Sequence, residues 1–249
     1  RRPLSEGEQQ QFRGLYQRLR AEELPHPEAV RKLLARVFVA PAFLYRGERP
    51  PSGPIAAPVN GWELATRLSY FLWSAPPDEG LAAVARDGSL CKPEVQVEQL
   101  RRMLKDPRVR RLATEFGCQW LQVRDLETLD EKSERHFPTF ASVRGAMQEE
   151  SVRFFMELFQ DNGSVLSLIT ADHTFVNADL AAHYGMEFPG NASSNEWRRT
   201  EGMQAKGRGG ILGFASTLAK QSGASRTSPI LRGNWLNEVV LGEKLPRPP

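Results

Sequence analysis

The sequence predicts an all-α fold: an irregular multi-helix bundle with Pro-rich linkers and little or no sheet. Three features point there. Apolar residues recur at helical spacing along most of the chain, and Val, Ile and Thr rarely alternate as they would in strands. Prolines and N-capping residues punctuate the periodic stretches, and no repeat is evident, so the bundle is irregular.

Ser5-Glu6-Gly7-Glu8 reads as a capping box ahead of Phe12, Leu15, Tyr16 and Leu19. A second helix is expected from about Pro27, with Val30, Leu33, Leu34, Val37 and Phe38 as its buried stripe, ending near Pro41. Residues 47–59 hold four prolines and two glycines and read as a linker. Asn60, with Glu63 three positions later, caps an apolar helix through Trp62, Leu68 and Leu72. Further helices are expected after Asp78, from Pro93, and from Asp106-Pro107, the last burying Val109, Leu112, Phe116, Trp120 and Leu121. A long helix spans about 140–160, with Met147, Val152, Phe155, Met156 and Phe159 apolar; Glu149, Glu150 and Glu157 read as its solvated face. Short helices follow at about 165–169 and 177–184, residues 186–207 read as a loop or small hairpin, and helices close the chain at 210–219 and from Ser228-Pro229 to Leu241.

Composition narrows the function classes. Hydrophobic residues make up 40% of 249, enough for a sizeable core. Thirty-three Lys and Arg against 30 Asp and Glu leave a net charge of +3, and the arginines are interleaved with acids and apolar residues. That is the pattern of solvated helix faces, not of a nucleic-acid-binding surface. No apolar run reaches 18 residues, so no transmembrane segment is expected. Both ends read as cuts through a longer polypeptide. Cys91 and Cys118 could pair in an oxidising compartment or stay as two buried thiols, and no CxxCH motif for haem attachment occurs.

Several strings carry a resemblance. RRPLSEGE and the stretch ending VFVAPAFLYR are similar to the tail of one small helical domain. LATRLSYFLWSAPPDEGL, RRMLKDPRVRRLATEFGCQWLQVRDLETL and ADHTFVNADLAAHYGM are similar to a second, larger one. RGGILGFASTLAKQSGASRTSPILRGNWLNEVVLG resembles the start of a third. These are domains of unknown function found together in large planctomycete proteins, many with a cytochrome-c-like domain as well. The expected organisation is residues 1–46, the C-terminal part of a small helical domain; 47–59, the linker; 60–187, the main helical domain; 188–207, a loop; and 208–249, the start of a truncated third domain. The resemblance implies a periplasmic or secreted location and an electron-transfer context. It places haem c on an attached domain or on a partner such as a c-type cytochrome, with no cofactor bound covalently in this chain.

Candidate site residues are few. Asp172 and His173 could form an acid–base pair, or His173 and His183 could bind a metal or axially ligate haem, with Tyr184 beside them as a further catalytic candidate. The structural alternative is that Asn177 caps a short helix and Asp172 fixes the turn before it. Arg226, Thr227, Ser228 and Arg232 could hold an anion, or Ser228 could simply cap the last helix, with Pro229 in its first turn. Lys206-Gly207-Arg208-Gly209-Gly210 lacks the P-loop pattern and reads as a tight turn. Of the five tryptophans, Trp197 stands in a polar stretch beside Arg198 and Arg199 and is the expected exposed aromatic; the others read as core anchors. The leading expectation is a non-haem helical scaffold and docking module. The rivals are part of an extracellular oxidoreductase passing electrons to a c-type cytochrome, and a carbohydrate-binding module.

Overall fold

The computed structural model describes residues 2–48, 53, 58–188 and 196–244. Parts of the expected 47–59 linker (49–52 and 54–57), of the 188–207 loop (189–195) and the proline-rich end (245–249) lie outside the described residues. Helix dominates what is described, and the strand content is one antiparallel pair. The chain divides into two compact units, residues 1–101 and 102–249.

In the first unit, α1 (Glu6–Ala21) begins with the expected capping box: Ser5 Oγ accepts from Glu8 N, and Glu8 returns the bond to Ser5 N. α2 (His26–Phe38) follows, and Tyr16 OH lies 2.9 Å from His26 Nδ1 across the pair. The expected stripe of α2 is not buried: only Ala29 is fully covered, and Leu34 and Phe38 remain half exposed. A short α3 (Pro41–Leu44) continues this apolar exposure through Phe43, Leu44 and Tyr45. α4 (Gly61–Trp73) starts at the Asn60–Glu63 capping box and buries Ala65, Ser69, Leu72 and Trp73. It packs with α5 (Glu79–Arg86), capped by Asp78, and with the 3-10 turn Ser89–Cys91. α6 (Pro93–Lys105) runs across the division between the units.

The second unit is organised around one long helix. After Asp106 caps a 3-10 turn, α7 (Arg110–Leu112) passes directly into a π-helical stretch, Ala113–Cys118. The wider turn rotates the side chains, so Phe116, expected inside, is half exposed, while Ala113, Gly117 and Cys118 face inwards. Gly117 is required there: a Cβ would stand 2.5 Å from the Phe155 ring. α8 (Phe140–Gln160) has the expected bounds and buries eight residues, from Phe140 to Phe155. α9 (Ser167–Thr170) leads into β1 (His173–Val176) and α10 (Ala178–His183), which Asn177 caps by accepting from Leu180 N.

β2 (Arg198–Glu201) pairs with β1, His173 opposite Glu201 and Val176 opposite Arg198. Part of the expected loop therefore forms half of a hairpin whose other half lies before α10. The Gly-rich string 206–210 makes the expected turn, with Gly207 and Gly210 both at positive φ. The single helix expected at 210–219 is broken: α11 (Gly210–Gly213) and α12 (Ala215–Lys220) are separated by Phe214 in an extended conformation, its ring fully buried. α13 (Pro229–Trp235) opens on Ser228 and passes into a second π-helical stretch, Leu236–Val240. Trp120, just after the first π stretch, donates from Nε1 to Val239 O in the second at 2.9 Å. Ridge-forming aromatics of α8 close the core: Phe154 meets Phe214 edge-on at 5.0 Å, and Phe155 meets Trp120 at 6.5 Å.

Candidate functional site

The polar centre of the second unit is Glu150, a residue that the sequence pattern assigns to the solvated face of α8. It is fully buried. Met147 lies three residues before it and Phe154 four after it, so it shares their inward face. A buried carboxylate has to be supplied with donors, and two hydroxyls supply them. Thr174 Oγ1 donates to Oε1 and Tyr184 OH to Oε2, each at 2.6 Å. β1 turns Thr174 inwards by strand alternation, with Thr174 and Val176 covered and His173 and Phe175 half covered. Tyr184 arrives from the end of α10. Its oxygen accepts from Ala215 N, at 2.9 Å, one of the amides that a helix start leaves without an intrahelical partner. Arg208 lies over the Tyr184 ring, 4.3 Å from its centre. A second buried bond, Ser151 Oγ to Ser216 Oγ at 2.7 Å, ties the same two helices one residue along.

Burial pushes the Glu150 carboxyl up to about 7, against the opposing pull of the Thr174 and Tyr184 hydroxyls and the Arg208 charge. Burial, with the Glu150 charge beside it, raises the Tyr184 phenol well above its ordinary range. The cluster thus couples a carboxyl that titrates near neutrality to a phenol that stays protonated.

A second polar group lies on the outer face of the hairpin. His173 Nε2 stands 2.9 Å from Glu157 Oε1, and Arg199 Nε reaches Glu157 Oε2 at 3.0 Å. Register puts His173, Phe175, Arg199 and Glu201 on one face, and Arg199 also pairs with Glu201. His173 packs on Phe154, ring centres 5.4 Å apart, and burial lowers its pKa although Glu157 opposes the shift. Glu157 orients the imidazole and fastens both strands to α8.

The expected Asp172–His173 acid–base pair does not form. Asp172 Oδ1 accepts from Gln204 N at 2.6 Å, and its carbonyl accepts from Met203 N, so it anchors the turn after β2. Asp172 precedes β1 and turns to Gln204, whereas His173 turns to Glu157. His183 is largely exposed, its ring tilted on Tyr184 with centres 5.8 Å apart, and its pKa is lowered by partial burial of the ring and by Arg208. His173 and His183 thus serve different partners, and no metal-holding group of three His, Cys, Asp or Glu occurs among the described residues.

The expected anion-holding group behaves as local structure. Ser228 Oγ accepts from Leu231 N, Thr227 bridges to Ser222, and Arg226 is exposed with its carbonyl bonded to Gly223 N. Arg232, half buried, leaves its Nε without a partner. The clamp on this loop is Lys132, whose Nζ donates to Ser222 O at 2.7 Å and also reaches Ser222 Oγ and Gly223 O.

One further expectation, for Trp197, needs correction, and of the two alternatives for the cysteines the free thiols are the one found, with Cys91 exposed and not buried. Trp197 is half buried against the core, and Arg153 covers its ring at 4.8 Å, so it offers no open platform for a sugar. Cys91, exposed, and Cys118, buried, are both free, and burial pushes the Cys118 thiol up to about 12.

Glu150 was the residue sequence reasoning missed. Its signal was present: a charge at the inward spacing of Met147 and Phe154, inside the stripe rather than beside it. Its neighbour Glu149 does sit on the solvent side, pairing with Arg110 and, at 2.8 Å, with Arg153.

Comparison with known protein families gives two matches. The family described as PSD4, protein of unknown function (DUF1592), matches residues 59–186, and the one described as PSCyt3, protein of unknown function (DUF1588), matches residues 208–249. No curated protein and no solved structure matches. Glu150, Thr174 and Tyr184 fall in the first match and Arg208, Ala215 and Ser216 in the second, so the buried cluster joins the two segments.

Proposed function

The chain belongs to the PSD4 family of proteins of unknown function, and on that premise we propose that it is a non-haem helical scaffold and docking module of an exported, cytochrome-c-linked electron-transfer assembly. One observation carries this reading: the side chains best suited to chemistry are spent on internal partners. Glu150 is closed off by Thr174 and Tyr184, His173 is held by Glu157, and Asp172 is held by Gln204. Such satisfied networks specify a rigid arrangement of helices, which is what a scaffold supplies. The name of the second matching family, PSCyt3, supports the cytochrome context. Without a CxxCH string in the chain, haem c belongs to an attached domain or a partner subunit.

The test is purification of the full-length polypeptide from its native source in its periplasmic or secreted form, followed by absorption spectroscopy and mass analysis. The expected result is a Soret band that co-purifies with the chain, with haem mass on peptides outside residues 1–249. Haem attached within these residues overturns the reading. So does a colourless protein that oxidises an extracellular substrate by itself.

A further inference from the structure

We propose that Glu150 is a proton-controlled latch that holds the segment beginning at Arg208 against the long helix α8. The geometry makes every part of the clasp converge on one carboxyl. Thr174 from β1 occupies one oxygen, and Tyr184 from the end of α10 occupies the other. Tyr184 passes the connection on to the first amide of α12, and Arg208, from the turn before α11, covers the phenol ring. On α8 itself, Glu149 and Glu157 are turned to other partners, Arg110 and Arg153 for the first and His173 and Arg199 for the second. The charged and titratable groups facing Glu150 from the other elements are therefore Tyr184 and Arg208, with Thr174 Oγ1 and Ala215 N as the neutral ones.

The bond directions suit the anion. Ala215 N–H donates to the phenol oxygen, the phenol proton goes to Oε2, and the threonine proton goes to Oε1. A protonated carboxyl has a proton of its own to place, and it needs one of these hydroxyls to turn round and accept it. Burial without a directly bonded cation works the other way and penalises the anion. These opposing effects leave the carboxyl titrating at about 7, against 4.5 for the free group.

The sign follows from linkage. Opening the latch exposes Glu150 to water, where it ionises at its ordinary value. Between pH 4.5 and about 7 the closed state holds a proton that the open state has lost. Raising the pH through that window therefore favours opening, roughly tenfold per pH unit, and the effect levels off above it. Glu150 has no exposed surface while the clasp is closed, so the carboxyl meets bulk water only when the clasp opens. The reading stands on the second unit alone and is independent of any cytochrome partner.

Amide hydrogen exchange of the full chain, corrected for the intrinsic pH dependence of exchange, tests it. The opening equilibrium at Ala215 and along α12 is expected to rise about tenfold per unit from pH 5 to pH 7 and then level off. The Glu150→Gln variant is expected to lose that slope. A flat wild-type profile, or a slope that survives in the variant, overturns the proposal; His173 and His183, whose pKa values are lowered in the closed state, would give a slope of the opposite sign. Should the variant fail to fold, infrared spectroscopy of the wild-type protein decides. A buried protonated-carboxyl stretch present at pH 6 and gone by pH 8 supports the latch, and its absence at pH 6 overturns it.

Discussion

Helices α2 and α8 carry the same kind of message in their sequences and meet different fates. Each has apolar residues at helical spacing and each forms with close to its expected bounds. α2 fully buries only Ala29, leaving Leu34 and Phe38 half exposed, whereas α8 buries eight side chains. Periodicity states which face of a helix is able to bury itself, and it says nothing about whether a partner is there to cover it. On α8 the partners come from the π-helical stretch before it, the hairpin after it and α12, all brought in by the tertiary fold. The difference is energetic as well as geometric, since burial contributes in proportion to the apolar area removed from water.

The largest effect that would test this contrast is Phe155→Ala. Phe155 is 1% exposed and touches Phe154, Phe159 and Trp120, and it presses on Gly117. Its loss is expected to cost about 3–5 kcal/mol, read as a shift of the denaturant midpoint at unchanged slope. A cost below about 1 kcal/mol would mean that α8 is not the hub. Tyr184→Phe should come next, at about 1–3 kcal/mol, because it strands the Ala215 amide and removes a donor from a buried carboxyl. That loss should grow as the pH rises through 7, where the carboxyl becomes charged and needs the phenol proton most. Thermal unfolding at pH 5.5 and pH 8 would measure it, and a larger loss at the lower value would contradict the bond directions described above. The smallest effect is expected for Phe38→Ala on α2, within about 0.5 kcal/mol for the isolated chain. A loss of several kcal/mol there would erase the contrast and show that the α2 face is covered in solution.

Much of the local structure was legible. Ser5, Asn60, Asp78, Asn177 and Ser228 all cap the helices that their side chains suggest, because capping needs only a short side chain and the next three amides. The candidate site was legible only in part. Tyr184 and His173 were singled out, but their true partners, Glu150 and Glu157, lie 34 and 16 residues away on another element. Trp197 illustrates the same limit, since Arg153, which covers it, is 44 residues earlier in the chain.

By itself the sequence determined the helical class and most helix starts, which depend on neighbours within a few residues, and also the family and the lack of a haem-attachment string, which are properties of the string itself. Only the tertiary structure decided which amphipathic faces are covered, where the helical pitch widens around Gly117, and that Glu150 points inwards. A helix wheel assigns a residue its angle, but what stands at that angle is set by segments folded back from elsewhere, and in a low-dielectric interior that neighbour fixes a carboxyl's charge.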